Sequence, residues 1–123
     1  NQGAFFLTVL VIYKEEIYSV QKIQKGEIIE VCQIIQLTEK DSKEIDKTSL
    51  YDYYFSWKDK NIAICLGLGS LYNHSYSPSA QYIKDFKNNL IRFVAIKDIE
   101  EGEEIFVNYN GDPLNQEKVW FEK

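Results

Sequence analysis

The one histidine of the chain, His74, lies in Gly69-Ser70-Leu71-Tyr72-Asn73-His74-Ser75-Tyr76-Ser77-Pro78, a polar and aromatic segment in a mostly apolar half of the sequence. A single histidine excludes a multi-histidine metal site, and any Ser–His–acid triad must be built on His74. Ser70 and Ser75 are near it, but neither stands in the Gly-x-Ser-x-Gly elbow of a hydrolase. Gly67-Leu68-Gly69-Ser70-Leu71-Tyr72 begins like a dinucleotide fingerprint, yet it lacks the third glycine and no strand–helix alternation surrounds it. The sequence holds no P-loop and no calcium loop. Cys32 and Cys65 sit among apolar residues without a Cys or His at metal-ligand spacing, so buried free thiols are expected and no metal is implied. What remains is the Asn73-His74-Ser75 segment and a second polar strand end, Phe106-Val107-Asn108-Tyr109-Asn110. Taken alone, the two fit a turn with a satisfied core histidine and a strand-end tyrosine.

The elements that must position these residues read mainly as short β-strands. Ile28–Leu37, Leu90–Ile99 and Glu104–Tyr109 are rich in Ile and Val. Lys87-Asn88-Asn89 supplies a hairpin turn between Ala80–Phe86 and Leu90–Ile96, because Asn tolerates positive φ. Val9, Val11, Ile12 and Tyr13 suit a buried strand. Thr38 to Thr48 is charged and reads as a solvated loop or helical turn. Thr48 or Ser49 is placed to cap a short helix through Leu50-Tyr51-Asp52-Tyr53-Tyr54-Phe55, an aromatic cluster of the kind that usually packs in a core. An internal echo stands out. Ile23-Gln24-Lys25-Gly26-Glu27-Ile28 and Ile99-Glu100-Glu101-Gly102-Glu103-Glu104-Ile105 share an Ile, a two-residue polar turn, Gly-Glu and then a strand. The pattern predicts a repeated strand–turn–strand unit in a compact β body.

The chain of 123 residues carries 14 Lys+Arg against 19 Asp+Glu, a formal net charge of −5, with 45% hydrophobic and 27% charged residues. That balance is an ordinary globular one and the length fits a single domain over 1–123. With one arginine, Arg92, and no basic run, nucleic acid is not an expected partner. Mild acidity favours a basic partner such as a lysine-bearing peptide, and equally serves solubility. The longest apolar run, Ala4–Tyr13, is half of the ~20 residues a membrane-spanning helix needs, and neither a basic lead nor a small-residue cleavage site flanks it. A soluble, intracellular protein (cytoplasmic, or nuclear in a eukaryote) without membrane association is expected.

Asn73-His74-Ser75 followed by Pro78, then Gly102-Glu103-Glu104-Ile105 leading to Tyr109, resembles the SET domain of S-adenosylmethionine-dependent protein-lysine methyltransferases. Order and spacing are similar to the family's Asn-His-Ser-x-x-Pro-Asn and Gly-Glu-Glu-Leu-x-x-x-Tyr segments, and Phe93-Val94-Ala95-Ile96-Lys97-Asp98-Ile99 looks like the strand before the second. The likeness runs from about Ile17 to Phe121, and is greatest to small stand-alone bacterial and viral members. It implies a mainly β, SET-domain β-clip fold of short strands with a few short helices. The Asn-His-Ser and Tyr segments are expected to form a knot-like crossing, an exception to unthreaded chains.

The resemblance also implies roles. The cofactor is S-adenosyl-L-methionine, with Asn73 at its amino-acid end, the backbone at His74 holding the adenine, and Trp120 or Phe121 covering the adenine. Tyr109 is then the active-site tyrosine beside the transferred methyl. Tyr53, Tyr54, Phe55 and Trp57 are expected to line a channel for the target lysine, where ring faces favour an entering cation. The partner is a lysine-bearing protein or peptide, and a homodimer is an assembly open to it. Two positions depart from the family pattern. Lys14-Glu15-Glu16 stands where the family has Gly-x-Gly, which adds bulk and negative charge near the cofactor carboxylate, and Ser79 stands where it usually has Asn. The glycine loss motivates a second reading, a SET-fold module that recognises a peptide or subunit without cofactor. A different β-clip domain would also carry the Gly-Glu turns.

Overall fold

The computed structural model describes residues 10–117. Chain order is β1 (Leu10–Tyr13), β2 (Glu16–Ser19), β3 (Ile28–Leu37), α1 (Glu39–Ile45), β4 (Phe55–Ser56), β5 (Ile62–Cys65), β6 (Asn73–His74), β7 (Ala80–Asp85), β8 (Leu90–Ala95) and β9 (Phe106–Val107). β1 and β2 form an antiparallel ribbon. Five antiparallel strands make a sheet in the order β4-β5-β3-β8-β7. β6 and β9 pair in parallel, so the two segments expected to cross lie side by side.

The Ile/Val run of β3 occupies the centre of the five-stranded sheet, as its composition demands. Its pairing with β8 shifts register between Ile28 and Glu30, which inserts Ile29 as a bulge. Strict alternation would put neighbouring residues on opposite faces, whereas the bulge turns both Ile29 and Glu30 inward, to 0% and 6% exposure. Ile17, Ile91, Phe93, Ile99 and Ile105 complete a core drawn from every sheet. Cys32 and Cys65 are free and buried. The Cys32 thiol is pushed up by its contact with Cys65, then by burial.

The two Gly-Glu turns face each other across a pseudo-twofold axis. Ile23 and Ile99 exchange both backbone hydrogen bonds at 2.8 Å. Gly26 donates to the Ala95 carbonyl and Gly102 to that of Ser19, both at 2.8 Å, while Ala95 and Ser19 donate to the Glu27 and Glu103 carbonyls, both at 2.9 Å. Gly26 and Gly102 hold φ of 93° and 85°, values that side chains resist. In each turn the glutamate reaches back, Glu27 to the Gln24 N–H and Glu103 to the Glu100 N–H.

Two expectations change and one is sharpened. β1 is a strand, but Val11, Ile12 and Tyr13 are 45–59% exposed, because the ribbon packs on the core through Ile17 of β2 and leaves β1 on its outer side; Val9 lies outside the described residues. The charged stretch after β3 forms α1, with no buried residue and Thr38 as N-cap in a capping box with Asp41. The helix expected through Phe55 is a single 3-10 turn, Ser49–Asp52, capped by the Thr48 hydroxyl, and Phe55 belongs to β4. That early ending leaves Asp52 at the end of the turn and releases Tyr53 and Tyr54 into the link that leads to β4.

Candidate active site

Parallel pairing sets Asn73 beside Phe106 and His74 beside Val107. From there three groups fix Tyr109. Its N–H donates to His74 Nδ1 at 3.0 Å, its carbonyl accepts from the Tyr82 hydroxyl at 3.2 Å, and its own hydroxyl donates to the Tyr72 carbonyl at 2.9 Å. Because Nδ1 accepts, the proton of a neutral His74 ring resides on Nε2. Burial, then the nearby Tyr53 and Asp52, push the Tyr109 hydroxyl above its ordinary pKa, and burial takes Tyr82 up to about 12. Both phenols are therefore protonated at neutral pH.

Tyr72 is itself held from beneath. Its hydroxyl donates to Glu30 Oε1 at 2.7 Å, and Glu30 Oε2 accepts the Leu68 N–H at 2.8 Å. Gly67 lets the backbone pass this carboxylate, since a Cβ there would fall 2.6 Å from Glu30 Oε2. The bulge in β3 thus reaches the site through Glu30 and Tyr72.

Two cavities meet at Tyr109. The larger, about 410 Å³, is bounded by Glu15, Asn73 and His74. The smaller, about 130 Å³, is bounded by Tyr54, Phe55, Tyr82 and Lys84. Asp52, Tyr53, Ser70 and Tyr109 line both. Phe55 stands edge-on to Tyr82 at 5.0 Å, so the smaller cavity has aromatic walls from the two outer strands of a curled sheet. The larger falls in the size range of small-molecule sites. Ser70 stands in the wall the two cavities share, its hydroxyl buried and without a hydrogen-bond partner among the described residues.

The positions singled out in sequence are largely brought together here. Asn73, His74 and Tyr109 converge, and Tyr53, Tyr54 and Phe55 join them. Trp57 does not. It is 6% exposed and packs edge-on against Phe86 at 4.8 Å, so it is a core residue and leaves the channel set. Trp120 and Phe121 lie outside the described residues. Lys14 and Glu15 form the β1–β2 turn with φ of 52° and 65°, the left-handed backbone glycine would have given, and Glu15 lines the larger cavity. Ser79, buried, accepts the Phe106 N–H through its hydroxyl at 3.2 Å and so helps hold β9. Sequence reasoning missed Glu30, Asp52, Ser70, Tyr82 and Lys84. Glu30 alone left a signal, an acid inside an apolar strand.

The lining suits the positive groups of S-adenosylmethionine. Glu15 and Asp52 favour a sulfonium and an ammonium and oppose a carboxylate placed beside them, and Asn73 offers a hydrogen bond. Asn73 Nδ2 donates to Glu104 Oε2 at 2.7 Å, which fixes the amide while leaving its carbonyl to accept.

Comparison with known proteins follows the same line. Residues 16–110 match the family profile described as SET domain. A histone-lysine N-methyltransferase of Schizosaccharomyces pombe, specific for H3 lysine-37, is 28% identical over 107 residues, covering 86% of this chain and 69% of that protein. A Plasmodium falciparum protein assigned as a histone methyltransferase superposes with a TM-score of 0.63 at 28% identity, over 84% of this chain and 96% of that one. The inhibitor-bound, humanized Polycomb Repressive Complex 2 of Chaetomium thermophilum shares the fold, with a TM-score of 0.65 at 20% identity over 76% of this chain and 13% of that one.

Proposed function

The chain belongs to the SET domain family, and from that premise we propose that it is an S-adenosylmethionine-dependent protein-lysine N-methyltransferase. The observation that carries the reading is the meeting of an aromatic cleft and a larger polar cavity at Tyr109. Asn73, His74 and Glu15 would hold the cofactor in the larger cavity. The smaller cavity, between Tyr53, Tyr54, Phe55 and Tyr82, would receive the substrate lysine. When bound, the cofactor supplies an electrophilic methyl on a positively charged sulfur.

The protein's own part is alignment and desolvation. Ring faces attract the lysine ammonium at the mouth of the cleft, and the apolar walls then favour its neutral form, the one that attacks. Tyr109 stays protonated and spends its proton on the Tyr72 carbonyl, so its oxygen can accept from the amine N–H and aim the nitrogen lone pair. Because His74 and Tyr82 pin the backbone of Tyr109 on both sides, this oxygen is preset before substrate arrives.

Calorimetric titration with S-adenosylmethionine and its demethylated product, followed by transfer of labelled methyl to lysine peptides, tests the reading. Saturable micromolar binding with transfer to lysine is expected. A folded sample that binds neither would overturn it in favour of a cofactor-free recognition module.

A further inference from the structure

Lys84 is the cation of the substrate cleft. It sits on β7 two residues from Tyr82, on the same face, and lines the smaller cavity but not the larger. Its ammonium donates to the Ser56 hydroxyl at 3.0 Å, across the cleft on β4. Among the described residues no carboxylate forms an ion pair with it. Burial alone pulls its pKa down, with no carboxylate acting to raise it. A half-buried ammonium served by a neutral hydroxyl is an unbalanced charge, and it stands at the exposed Ser56 edge of the cleft, where a flanking residue of the substrate and not its target lysine would meet it. The opposite sign is found at the inner end, where Asp52 borders both cavities beside Tyr109. The cleft is therefore polarised, negative toward the site of chemistry and positive toward Ser56.

We propose that Lys84 is a specificity-determining residue that selects target lysines with an aspartate or glutamate close by in the substrate chain. The inference rests on the methyltransferase reading above. An extended peptide with its lysine directed to Tyr109 spans the Tyr82–Lys84 interval, about 7 Å, in two residues. A carboxylate one or two positions from the lysine then meets the ammonium and replaces the weak Ser56 contact with a charge-assisted one. A basic neighbour at the same place is repelled. Lysines embedded in Lys/Arg-rich segments become poor substrates, and a lysine beside an acid a good one.

The test uses the full chain and synthetic peptides with a fixed central lysine, each flanking position in turn Asp, Glu, Ala or Lys. Wild type should prefer an acid at one flanking position by about five-fold over Ala, the upper end for an exposed ion pair. Lys84→Gln should erase the preference and Lys84→Glu reverse it toward Lys. The same ranking should appear in fluorescence-polarisation binding of peptides whose central lysine is replaced by norleucine, which needs no turnover. If wild type methylates peptides with no acidic preference, or if Lys84→Gln retains the preference, the assignment of Lys84 is wrong while the enzyme reading stands. Mass spectrometry showing Lys84 itself methylated would also overturn it. Failure of wild type to methylate any lysine, with cofactor bound, would instead strike the enzyme reading.

Discussion

Tyr109 carries its hydroxyl in a bond to the Tyr72 carbonyl, at the junction of two cavities. Removing that oxygen should cost chemistry and little else. Tyr109→Phe is expected to lower methyl transfer at least ~100-fold, with cofactor affinity within about two-fold, measured by labelled-methyl transfer and calorimetry. Retained activity would mean the hydroxyl does not orient the amine. Asn73→Ala acts on the other side of the junction. It should weaken cofactor binding about ten-fold, the worth of a hydrogen bond to a charged group, and an unchanged affinity would remove Asn73 from the cofactor site. Glu30 lies one step behind both. Its buried carboxylate accepts from Tyr72 and Leu68, so Glu30→Ala strands two donors and should cost about 2–4 kcal/mol of stability. Glu30→Gln keeps an acceptor for one of them and should cost about 1 kcal/mol. Urea denaturation separates the two, and equal losses would show that shape rather than the carboxylate matters there.

The repeated turns argue at the scale of elements. Gly26 and Gly102 have positive φ, no heavy atom where a Cβ would stand, and matching backbone partners. Alanine at either should therefore cost only backbone strain, about 1 kcal/mol. The two losses should be equal within error and add in the double variant, as read from thermal unfolding; unequal costs would mean that the pseudo-twofold is geometric and not energetic. This unit was legible in sequence because it depends on short-range chemistry, Gly for the turn and Glu to close it. The bounds of β3 and the Asn turn before β8 were legible for the same reason, an Ile/Val run and an Asn89 with φ of 53°. The bulge at Ile29 was not, since nothing local marks which residue of Ile28-Ile29-Glu30 is skipped in pairing. The exposure of β1 was equally hidden, because apolar content specifies a strand but not how many layers cover it.

Across the whole molecule the site was legible only where motifs carried it. Asn73, His74 and Tyr109 came from a family resemblance. Lys84 reaches the smaller cavity because the sheet curls until β4 and β7 share a cleft, and Asp52 and Ser70 reach it from two separate 3-10 turns, long-range outcomes that spacing does not encode. Trp57 misled for the converse reason. It neighbours Phe55 in sequence, yet it turns into the core toward Phe86. The −5 net charge is consistent with Glu15 and Asp52 at the larger cavity, but the smaller cavity carries a local cation, Lys84, against that trend.

The parallel contact of β6 with β9 also has a consequence in time. These strands are separated by the whole β7–β8 hairpin, a local structure that closes around a turn at Asn89, whereas the β6–β9 contact must wait for distant chain to arrive. The junction at Tyr109 is thus expected to assemble late, on the native side of the folding barrier. In chevron experiments His74→Ala, which releases the Tyr109 N–H, should speed unfolding and leave the folding rate nearly unchanged. Asn89→Ala, which strains the hairpin turn, should slow folding instead. If His74→Ala slowed folding, the junction would belong to the nucleus. Late assembly makes the hold on Tyr109 the first native feature surrendered when the protein begins to unfold, so activity is expected to decay before the sheet does.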